Sequence, residues 1–371
     1  GVDLGTIGLF SLMTLPYTWK FIWSPLMDRY KPPFLGRRRG WALITQVALL
    51  LSIGALGLFD PAQALAPIMV LVFTVSFFSA SQDIVIDAYR RELLDDDELG
   101  TGTSIHINAY RLSALVPGSL ALILADHLAW QTVFATTAAF MLIGIAMTLT
   151  IREVSDDELA PHTLRQAVID PFREFFGREG LRHALAVLAF ILLYKLGDNM
   201  AVALATPFYI DMGYSLTEIG TIAKFSALWA SIAGSIIAGV VMLKLSINRA
   251  LWAFGFVQLL TILGYVWLST VGHTPIGLFA VVSGEYIGVG LGTVALTAFL
   301  ARETSRAFTA TQFALFSSIV VIPRTFANAS TGFLIEAMGY TSFFLLCTAL
   351  AVPGMLMLLK VAPWRETKKQ S

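Results

Sequence analysis

Asp83 lies in one of the long apolar segments of this sequence, where a carboxylate is rare. Ser79, Asp83 and Asp87 stand at positions i, i+4 and i+8, so they share one face of a predicted helix. An ionised carboxylate in an apolar environment must face a cavity, pair with a cation or carry a proton. Lys20 is predicted about 12 Å and Asp83 about 10 Å from the inner ends of their segments, at 1.5 Å per residue. We therefore predict an ion pair between Lys20 and Asp83, whereas Asp87 is expected to lie at a solvated helix end.

The second half of the chain holds a similar set of charged residues. Glu285 is predicted near the bilayer midplane, about 15 Å from the outer side, and Lys195 reaches a similar depth from the inside. Lys224 is predicted about 10 Å below the outer boundary, close to the depth of Asp198. A proton-coupled carrier needs a carboxylate that loses and regains a proton as access alternates. We expect proton coupling at Asp83 first and at Glu285 second, with Asp198 as a further candidate.

Two arginines in apolar segments can each hold a carboxylate or phosphate through two parallel hydrogen bonds. Arg111 is predicted about 13 Å above the inner end of its segment, and Arg324 is deeper in a later one. A structural tie from Arg111 to Asp83 is an equal alternative. Charges of both signs nearly balance in these segments, which favours paired networks over an ion channel lined by one sign. The residues predicted to form a substrate or charge network in a cavity are Lys20, Gln82, Tyr110, Arg111, Lys195, Lys224, Gln312 and Arg324.

Composition excludes several classes of protein. Of the 371 residues, 56% are hydrophobic and 13% charged, whereas soluble domains carry about 25% charged residues. The single cysteine, Cys347, excludes a disulfide scaffold and a Cys-rich metal site. The 25 Lys and Arg balance 25 Asp and Glu, which excludes an electrostatic nucleic-acid binder. The sequence has no enzyme constellation and no Walker loop, so we expect no catalytic residue, metal or cofactor, with the proton as the coupling ion.

Long apolar runs are the elements that must position the charged residues. A bilayer core about 30 Å thick needs about 20 apolar residues per helix, and the sequence has roughly eleven such runs. They are continuous rather than alternating, which predicts an all-α polytopic membrane protein. The predicted spans are 6–27, 41–59, 66–89, 103–125, 130–151, 184–209, 218–242, 248–270, 275–300, 311–335 and 340–360.

Lysine and arginine are distributed unevenly between the loops. Loops 60–66, 126–129, 211–217, 272–274 and 336–339 contain neither residue, and the loops between them carry arginine, lysine or both. By the positive-inside rule the basic loops are cytoplasmic. We therefore expect a cytoplasmic linker and a cytoplasmic C-terminus.

The two halves of the chain are related to each other. Trp41-Ala42 matches Trp252-Ala253 and Arg111 corresponds to Arg324, at a spacing of about 210 residues. Parallel repeats of six spans are typical of the major facilitator superfamily. The repeat predicts a major facilitator fold of two six-helix bundles with the first helix absent from this numbering. The predicted divisions are an N-terminal bundle at 1–151 (superfamily helices 2 to 6), a cytoplasmic linker at 152–183 and a C-terminal bundle at 184–371 (helices 7 to 12).

Apolar residues of the linker fall on or near one helical face. This pattern predicts an amphipathic helix on the inner leaflet. A partly ordered linker is the alternative.

The first inner loop resembles the loop motif of the major facilitator superfamily. Asp28-Arg29-Tyr30 is followed by Gly36-Arg37-Arg38-Arg39-Gly40, which fits the motif apart from an insertion and a missing first glycine. The resemblance implies a latch between the two halves, with Asp28 accepting charge-assisted hydrogen bonds. A positive-inside anchor is the alternative. The inner-loop latch consists of Asp28, Arg29, Arg37, Arg38 and Arg39.

Four segments resemble the AmpG family of muropeptide permeases, and the likeness extends over nearly the whole chain. They are Phe34-Leu35-Gly36-Arg37-Arg38-Arg39-Gly40-Trp41, Ser79-Ala80-Ser81-Gln82-Asp83-Ile84-Val85, Leu193-Tyr194-Lys195-Leu196-Gly197-Asp198 and Ala310-Thr311-Gln312-Phe313-Ala314-Leu315. The resemblance implies proton-driven import of N-acetylglucosaminyl-1,6-anhydro-N-acetylmuramic acid and its peptides across the inner membrane of a Gram-negative bacterium. It also implies roles in peptidoglycan recycling and β-lactamase induction. The expected partners are a sugar or sugar–peptide and the lipid bilayer, without nucleic acid, and the expected state is a monomer.

Two other functions remain open at this point. An acetyl-CoA or other anionic solute transporter of the same superfamily would need several cavity arginines for its phosphates. The sequence offers only Arg111 and Arg324, which weakly favours the muropeptide. An intramembrane glycosyl- or acyltransferase would need a nucleophile, an acid–base pair or a metal, and the sequence displays none.

Overall fold

The computed structural model describes residues 15–60, 63–125, 127–154, 161 and 163–364. All regular elements in these ranges are helices, which confirms the all-α prediction. In lipid, each backbone N–H and C=O must be satisfied within the protein, and a helix achieves this within a single segment. The candidate sites are accordingly built from side chains on helices and at helix ends.

The described helices of the first half range from 5 to 29 residues in length. They are α1 (Leu15–Trp19), a 3-10 turn (Lys20–Ile22), α2 (Ser24–Arg29), α3 (Arg37–Leu56), α4 (Leu65–Leu93), α5 (Leu99–Ser113), a π-helical turn (Val116–Leu120), α6 (Ala121–Ala125), α7 (Trp130–Ala139), α8 (Met141–Thr150) and α9 (Leu164–Arg178). The π-helical turn contains Pro117, which has no backbone N–H to continue a regular helix.

The second half contains the longest helices. They are α10 (Leu181–Leu193), α11 (Leu196–Ala203), α12 (Ala205–Asp211), α13 (Leu216–Glu218), a π-helical turn (Ile219–Lys224), α14 (Phe225–Met242), α15 (Ile247–Val271), α16 (Pro275–Glu303), a 3-10 turn (Arg306–Phe308) and α17 (Thr309–Val361). Gly339 interrupts α17 with a φ of 76°, so this element is two helices joined at a kink.

Within the described ranges, 8 helical stretches are long and apolar enough to cross a membrane. They are Arg37–Leu56, Leu65–Leu93, Trp130–Thr150, Leu181–Asp211, Ile219–Met242, Ile247–Val271, Pro275–Glu303 and Ser330–Val361. Three predicted spans, 6–27, 103–125 and 311–335, are not among them. The first lies partly outside the described residues, the second is interrupted at the π-helical turn, and the third lies within α17 and overlaps the shorter apolar stretch Arg306–Val321.

Contacts along the chain define two compact units. Unit 1 comprises Gly1–Asp95, Tyr110–Glu174 and Thr304–Ser318, and unit 2 comprises Asp96–Ala109, Phe175–Glu303 and Ile319–Ser371. Lys20, Asp83 and the inner-loop latch residues lie in unit 1, and Lys195, Asp198 and Glu285 lie in unit 2. The predicted bundle boundaries at residues 151 and 184 remain a prediction.

The core of unit 1 brings the start of α17 against helices from the beginning of the chain. Small residues permit this contact because their short side chains let helix backbones approach closely. The buried residues of this core are Met27, Ala42, Ile84, Val85, Ala88, Ala310 and Ala314.

In unit 2, α14 and α16 are packed closely enough to require glycine. A Cβ at Gly234 would lie 2.3 Å from the carbonyl oxygen of Ile287, and one at Gly290 would lie 2.5 Å from that of Ser231. Nearby, Phe208, Tyr265 and Phe344 form an aromatic core with ring centroids 5.0–6.2 Å apart. This packing fixes the helices that carry the charged cluster of unit 2.

Candidate functional site

Lys20 and Asp83, which have similar predicted depths, lie 3.7 Å apart in unit 1, measured from Nζ to Oδ2. Lys20 begins the 3-10 turn between α1 and α2, and Asp83 lies on α4. The Lys20 side chain is 7% exposed and the Asp83 side chain 50%. The separation exceeds that of a tight charge-assisted hydrogen bond, about 2.7–2.9 Å. A small displacement of either side chain is therefore enough to separate the pair.

Two hydrogen bonds attach the residues around Lys20 to α4. The hydroxyls of Tyr17 and Ser79 are 2.5 Å apart, and Trp23 Nε1 donates to Ser81 Oγ at 3.0 Å. Ser79 lies one helical turn before Asp83 and on the same face. These bonds fix the position from which Lys20 reaches Asp83.

The inner-loop latch contains a fully buried guanidinium between two carboxylates. Arg38 Nη2 donates to Asp28 Oδ1 at 2.8 Å and to Glu92 Oε1 at 2.6 Å, and its Nε donates to both Glu92 oxygens at 3.1 Å. The side chains of Arg38 and Asp28 are 0% exposed and that of Glu92 is 5% exposed. A third donor, Arg38 Nη1, reaches the carbonyl of Met27 at 3.2 Å. Fork-shaped hydrogen bonding of this kind requires arginine rather than lysine.

Asp28 also accepts hydrogen bonds from the first turn of α17. The backbone N–H of Ala310 donates to its Oδ1 at 3.1 Å, and that of Thr311 donates to its Oδ2 at 2.8 Å. The Thr311 hydroxyl adds a bond to Oδ2 at 2.7 Å. The free N–H groups and the dipole of a helix N-terminus favour a carboxylate at this position. Asp28 therefore connects α2, the start of α3 and the start of α17.

The other arginines of the latch bind backbone groups or aromatic surface. Arg37 Nη1 donates to the carbonyl of Asp28 at 3.0 Å. Arg39 donates to the carbonyls of Thr148 and Leu149, at 2.9 and 2.8 Å, and so caps the C-terminus of α8. Arg29 stacks on the ring of Tyr30, 5.5 Å from its centroid.

Unit 2 contains a buried charge cluster at the junction between α10 and α11. Lys195 lies between these helices with φ −105° and ψ 4°, and its ammonium is ion-paired with Asp198. Lys195 Nζ also donates to Gln258 Oε1 of α15 at 2.9 Å. The side chains of Lys195 and Asp198 are 10% and 4% exposed. The lysine is thus held by two acceptors in a nearly dry environment.

Glu285 of α16 is 0% exposed and faces this cluster. Its polar neighbours are Asp198, Lys195 and Thr261. Neither carboxyl oxygen of Glu285 has a hydrogen bond of good geometry to a described residue, and the same holds for Asp198 Oδ1. Two carboxyl groups and one ammonium therefore share one buried space.

Residues 1–324 match the Major Facilitator Superfamily. The chain belongs to this superfamily. It is 47% identical to an uncharacterized protein of Haemophilus influenzae, covering 100% of this chain and 89% of that one. It is 43% identical to the anhydromuropeptide permease of Escherichia coli, covering 96% of this chain and 73% of that one, which places it in the AmpG family. The solved structure of the proton:xylose symporter XylE shares the fold, with a TM-score of 0.72, 10% identity and coverage of 95% of this chain and 85% of XylE.

As a member of the superfamily, the chain is a multi-pass membrane transporter and not an enzyme. The expectation of a non-enzyme is confirmed, and the transferase alternative is excluded. The buried charges are therefore considered in terms of binding and conformational change rather than bond chemistry.

Two residues of the predicted cavity network, Lys224 and Gln312, form hydrogen bonds with groups outside that network. Lys224 Nζ donates to Thr206 Oγ1 at 3.0 Å, whereas Asp198, predicted at a similar depth, is paired with Lys195. Gln312 is 1% exposed, and its Nε2 donates to the carbonyl of Pro171 at 2.9 Å and to Glu174 Oε2 at 2.7 Å. Gln312 thus attaches the linker helix α9 to the start of α17.

The other members of the predicted network are Tyr110, Arg111, Gln82 and Arg324. Tyr110 is 70% exposed and Arg111 is half-buried. Gln82 Oε1 is buried without a hydrogen-bond partner in the described ranges. Arg324 is on α17, but its side chain lies outside the described part of the chain.

Two polar residues that complete the clusters were not predicted from the sequence. Glu92 binds Arg38, and Gln258 binds Lys195. Gln258 could have been found from the sequence because it is a polar residue within an apolar span. In the structure it packs against Gly288 and Gly292 of α16. A Cβ at Gly292 would lie 1.8 Å from Gln258 Nε2, so the glycine provides the space for this amide.

Unit 2 also contains a cleft of about 910 Å³ with side chains of both charges. Arg178, Lys244 and Arg302 line it together with Glu179 and Glu303. The residues predicted to bind substrate are not among those lining this cleft.

Proposed function

We propose that the protein is a proton-coupled secondary transporter that imports anhydro-muropeptides from the periplasm to the cytoplasm. The substrates are N-acetylglucosaminyl-1,6-anhydro-N-acetylmuramic acid and its peptides, and import serves peptidoglycan recycling and β-lactamase induction. The observation that carries the substrate class is the 43% identity to the E. coli anhydromuropeptide permease over 96% of this chain. Transport would proceed by alternating access, through rocking of two six-helix bundles.

The coupling carboxylates are Asp83, Glu285 and Asp198. Asp83 is supported by its half-exposed side chain and its 3.7 Å separation from Lys20. A protonated Asp83 would release Lys20, and an ionised Asp83 would attract it. A carboxylate whose proton and ion partner alternate in this way provides the link between proton movement and helix movement.

The inner-loop latch has a conformational role in this proposal. Asp28, Arg38 and Glu92 tie the loop between α2 and α3 to Ala310 and Thr311 at the start of α17. Breaking this contact would let α17 move away from α2. Arg38, Ala310 and Thr311 all donate hydrogen bonds to Asp28 in this structure, and we interpret this arrangement as the closed state of the latch.

The proposed location is the inner membrane of a Gram-negative bacterium, as a monomer with a cytoplasmic linker and C-terminus. The support for the orientation is the distribution of lysine and arginine, which are absent from every second loop. Labelling of single cysteines in the two sets of loops from either side of spheroplast membranes tests this orientation.

Substrate identity is tested by counterflow exchange in proteoliposomes that contain the protein. Labelled N-acetylglucosaminyl-1,6-anhydro-N-acetylmuramic acid should exchange against the unlabelled compound, and excess acetyl-CoA should not compete. Exchange that acetyl-CoA abolishes, or no exchange of the disaccharide at all, contradicts the assignment. Asp60→Asn, an exposed carboxylate in a loop, is the matched control for site variants.

A further inference from the structure

Glu285 is the carboxyl group with the least access to water among the candidate coupling residues. It is 0% exposed, and neither oxygen has a hydrogen bond of good geometry to a described residue. An ionised carboxylate in such a place is strongly destabilised unless a cation or several donors compensate it. The neighbours of Glu285 therefore decide its protonation state.

The titratable groups close enough to interact electrostatically with Glu285 come from four neighbouring elements. They are Lys195 and Asp198 at the start of α11, Tyr209 on α12, Tyr265 on α15 and Cys347 on α17. Tyr209 and Tyr265 are neutral groups whose hydroxyls lie 3.1 Å apart. Among these groups, Lys195 is the one basic side chain.

Lys195 is already engaged away from Glu285. Its ammonium pairs with Asp198 and donates to Gln258 Oε1 at 2.9 Å. Gln258 is held in place because Gly292 leaves room for its amide. One positive and one negative charge cancel, so a second ionised carboxylate would give the buried cluster a net charge of −1.

We propose that Glu285 and Asp198 form a single proton-binding pair, with the proton on Glu285 as long as Lys195 is bound to Asp198. This inference rests on the proposed proton-coupled transport and names its coupling unit in the second half of the chain. If Lys195 turns from Asp198 to Glu285, the pair exchanges roles: Glu285 releases its proton and Asp198 takes one up. Each arrangement keeps the cluster neutral, with one ammonium, one carboxylate and one carboxylic acid.

The requirement that the buried cluster stays neutral predicts the protonation state of the remaining carboxyl groups in each variant. Glu285→Gln leaves Lys195 with Asp198 and removes the buried acid. Asp198→Asn leaves Lys195 with Glu285, which must then ionise, so the buried acid is lost although Glu285 is still present. The double variant leaves Lys195 without a carboxylate and should melt at a lower temperature than either single variant.

Infrared difference spectroscopy of the purified protein in lipid nanodiscs tests the proposal without any substrate. Wild-type protein should show a carboxylic acid C=O band at neutral pH that is lost in both Glu285→Gln and Asp198→Asn. Asp60→Asn, at an exposed carboxylate in a loop, is the matched control and should keep this band. Retention of the band in Glu285→Gln overturns the placement of the proton, and retention in Asp198→Asn overturns the shared pair.

The melting temperatures of the same samples provide a second readout. Wild-type protein should melt at lower temperature as the pH rises, because the folded protein keeps Glu285 protonated whereas unfolding exposes this carboxyl group to water, where it ionises. Glu285→Gln should lose this pH dependence. A pH dependence equal to that of the wild type overturns the proposal, even if a transport assay fails for reasons of substrate identity.

Discussion

Thr311 donates two hydrogen bonds to Oδ2 of Asp28, one from its backbone N–H at 2.8 Å and one from its hydroxyl at 2.7 Å, across 283 positions of sequence. Because Arg38 and Ala310 bind the other oxygen of the same carboxylate, the entire acceptor capacity of Asp28 is used at one contact. This contact makes the latch a defined structural element whose loss has measurable consequences.

Asp28→Asn should open the contact between the latch and α17. The change removes the charge that binds Arg38 and the helix N-terminus, and a hydrogen bond to a charged group contributes about 1.5–3 kcal/mol. Because 1.4 kcal/mol corresponds to a factor of ten, we expect at least about tenfold faster maleimide labelling of a cysteine placed at Ala314. Ala314 is 1% exposed and the native Cys347 is buried, so background labelling should be low. Asp60→Asn should leave the rate unchanged, and an equal increase in both variants would contradict the prediction.

Arg38→Lys should weaken the same contact although it retains the positive charge. The ammonium cannot donate to Asp28, Glu92 and Met27 in the planar arrangement that the guanidinium uses. Removing one partner of a buried ion pair destabilises by about 3–5 kcal/mol, so the conservative change should lose about half of that. The melting temperature of purified protein checks this, with Arg173→Lys on the exposed side of α9 as control. Equal melting temperatures for the two variants would show that the fork geometry is unimportant.

Gly292→Ala should displace the side chain of Gln258 and weaken its hydrogen bond with Lys195. A Cβ at this position would lie 1.8 Å from the amide nitrogen of Gln258. Overpacking of this kind typically destabilises by about 1–3 kcal/mol. Gly284→Ala is the matched control on the same helix, because its Cβ would lie 3.9 Å from the nearest atom. If both variants melt at the wild-type temperature, the close contact does not constrain Gln258.

Gln312→Ala should weaken the attachment of the linker helix α9 to the start of α17. Its amide holds the carbonyl of Pro171 and the carboxylate of Glu174, both on α9. We expect faster proteolytic cleavage within residues 164–178 and an unchanged apparent affinity for the disaccharide. A lower affinity with unchanged cleavage would instead support the predicted role of Gln312 in the substrate cavity.

Depth along a helix could be predicted from the sequence, since the rise per residue is nearly constant. Lys20 and Asp83 have similar predicted depths, and they lie 3.7 Å apart. Lys224 and Asp198 have similar predicted depths too, yet Lys224 binds Thr206. Depth does not specify which face of a helix a residue occupies or which helices are neighbours, so it selects candidates without fixing pairs.

The contacts that depend on tertiary packing could not be predicted in the same way. The start of α17 meets Asp28 only after the core residues of unit 1 have brought the helices together. Gln258 reaches Lys195 because a glycine on a third helix leaves space for it. Both contacts depend on the close approach of helices that are distant in sequence. A local pattern of residues does not indicate which helices will be neighbours.

Gradient-driven accumulation of labelled N-acetylglucosaminyl-1,6-anhydro-N-acetylmuramic acid in proteoliposomes tests proton-coupled import most directly. Wild-type protein should concentrate the disaccharide above its external level only when an inward proton gradient is imposed. Asp83→Asn should still exchange the disaccharide in counterflow but should not accumulate it. Wild-type accumulation that is the same with and without the proton gradient would contradict proton-coupled import.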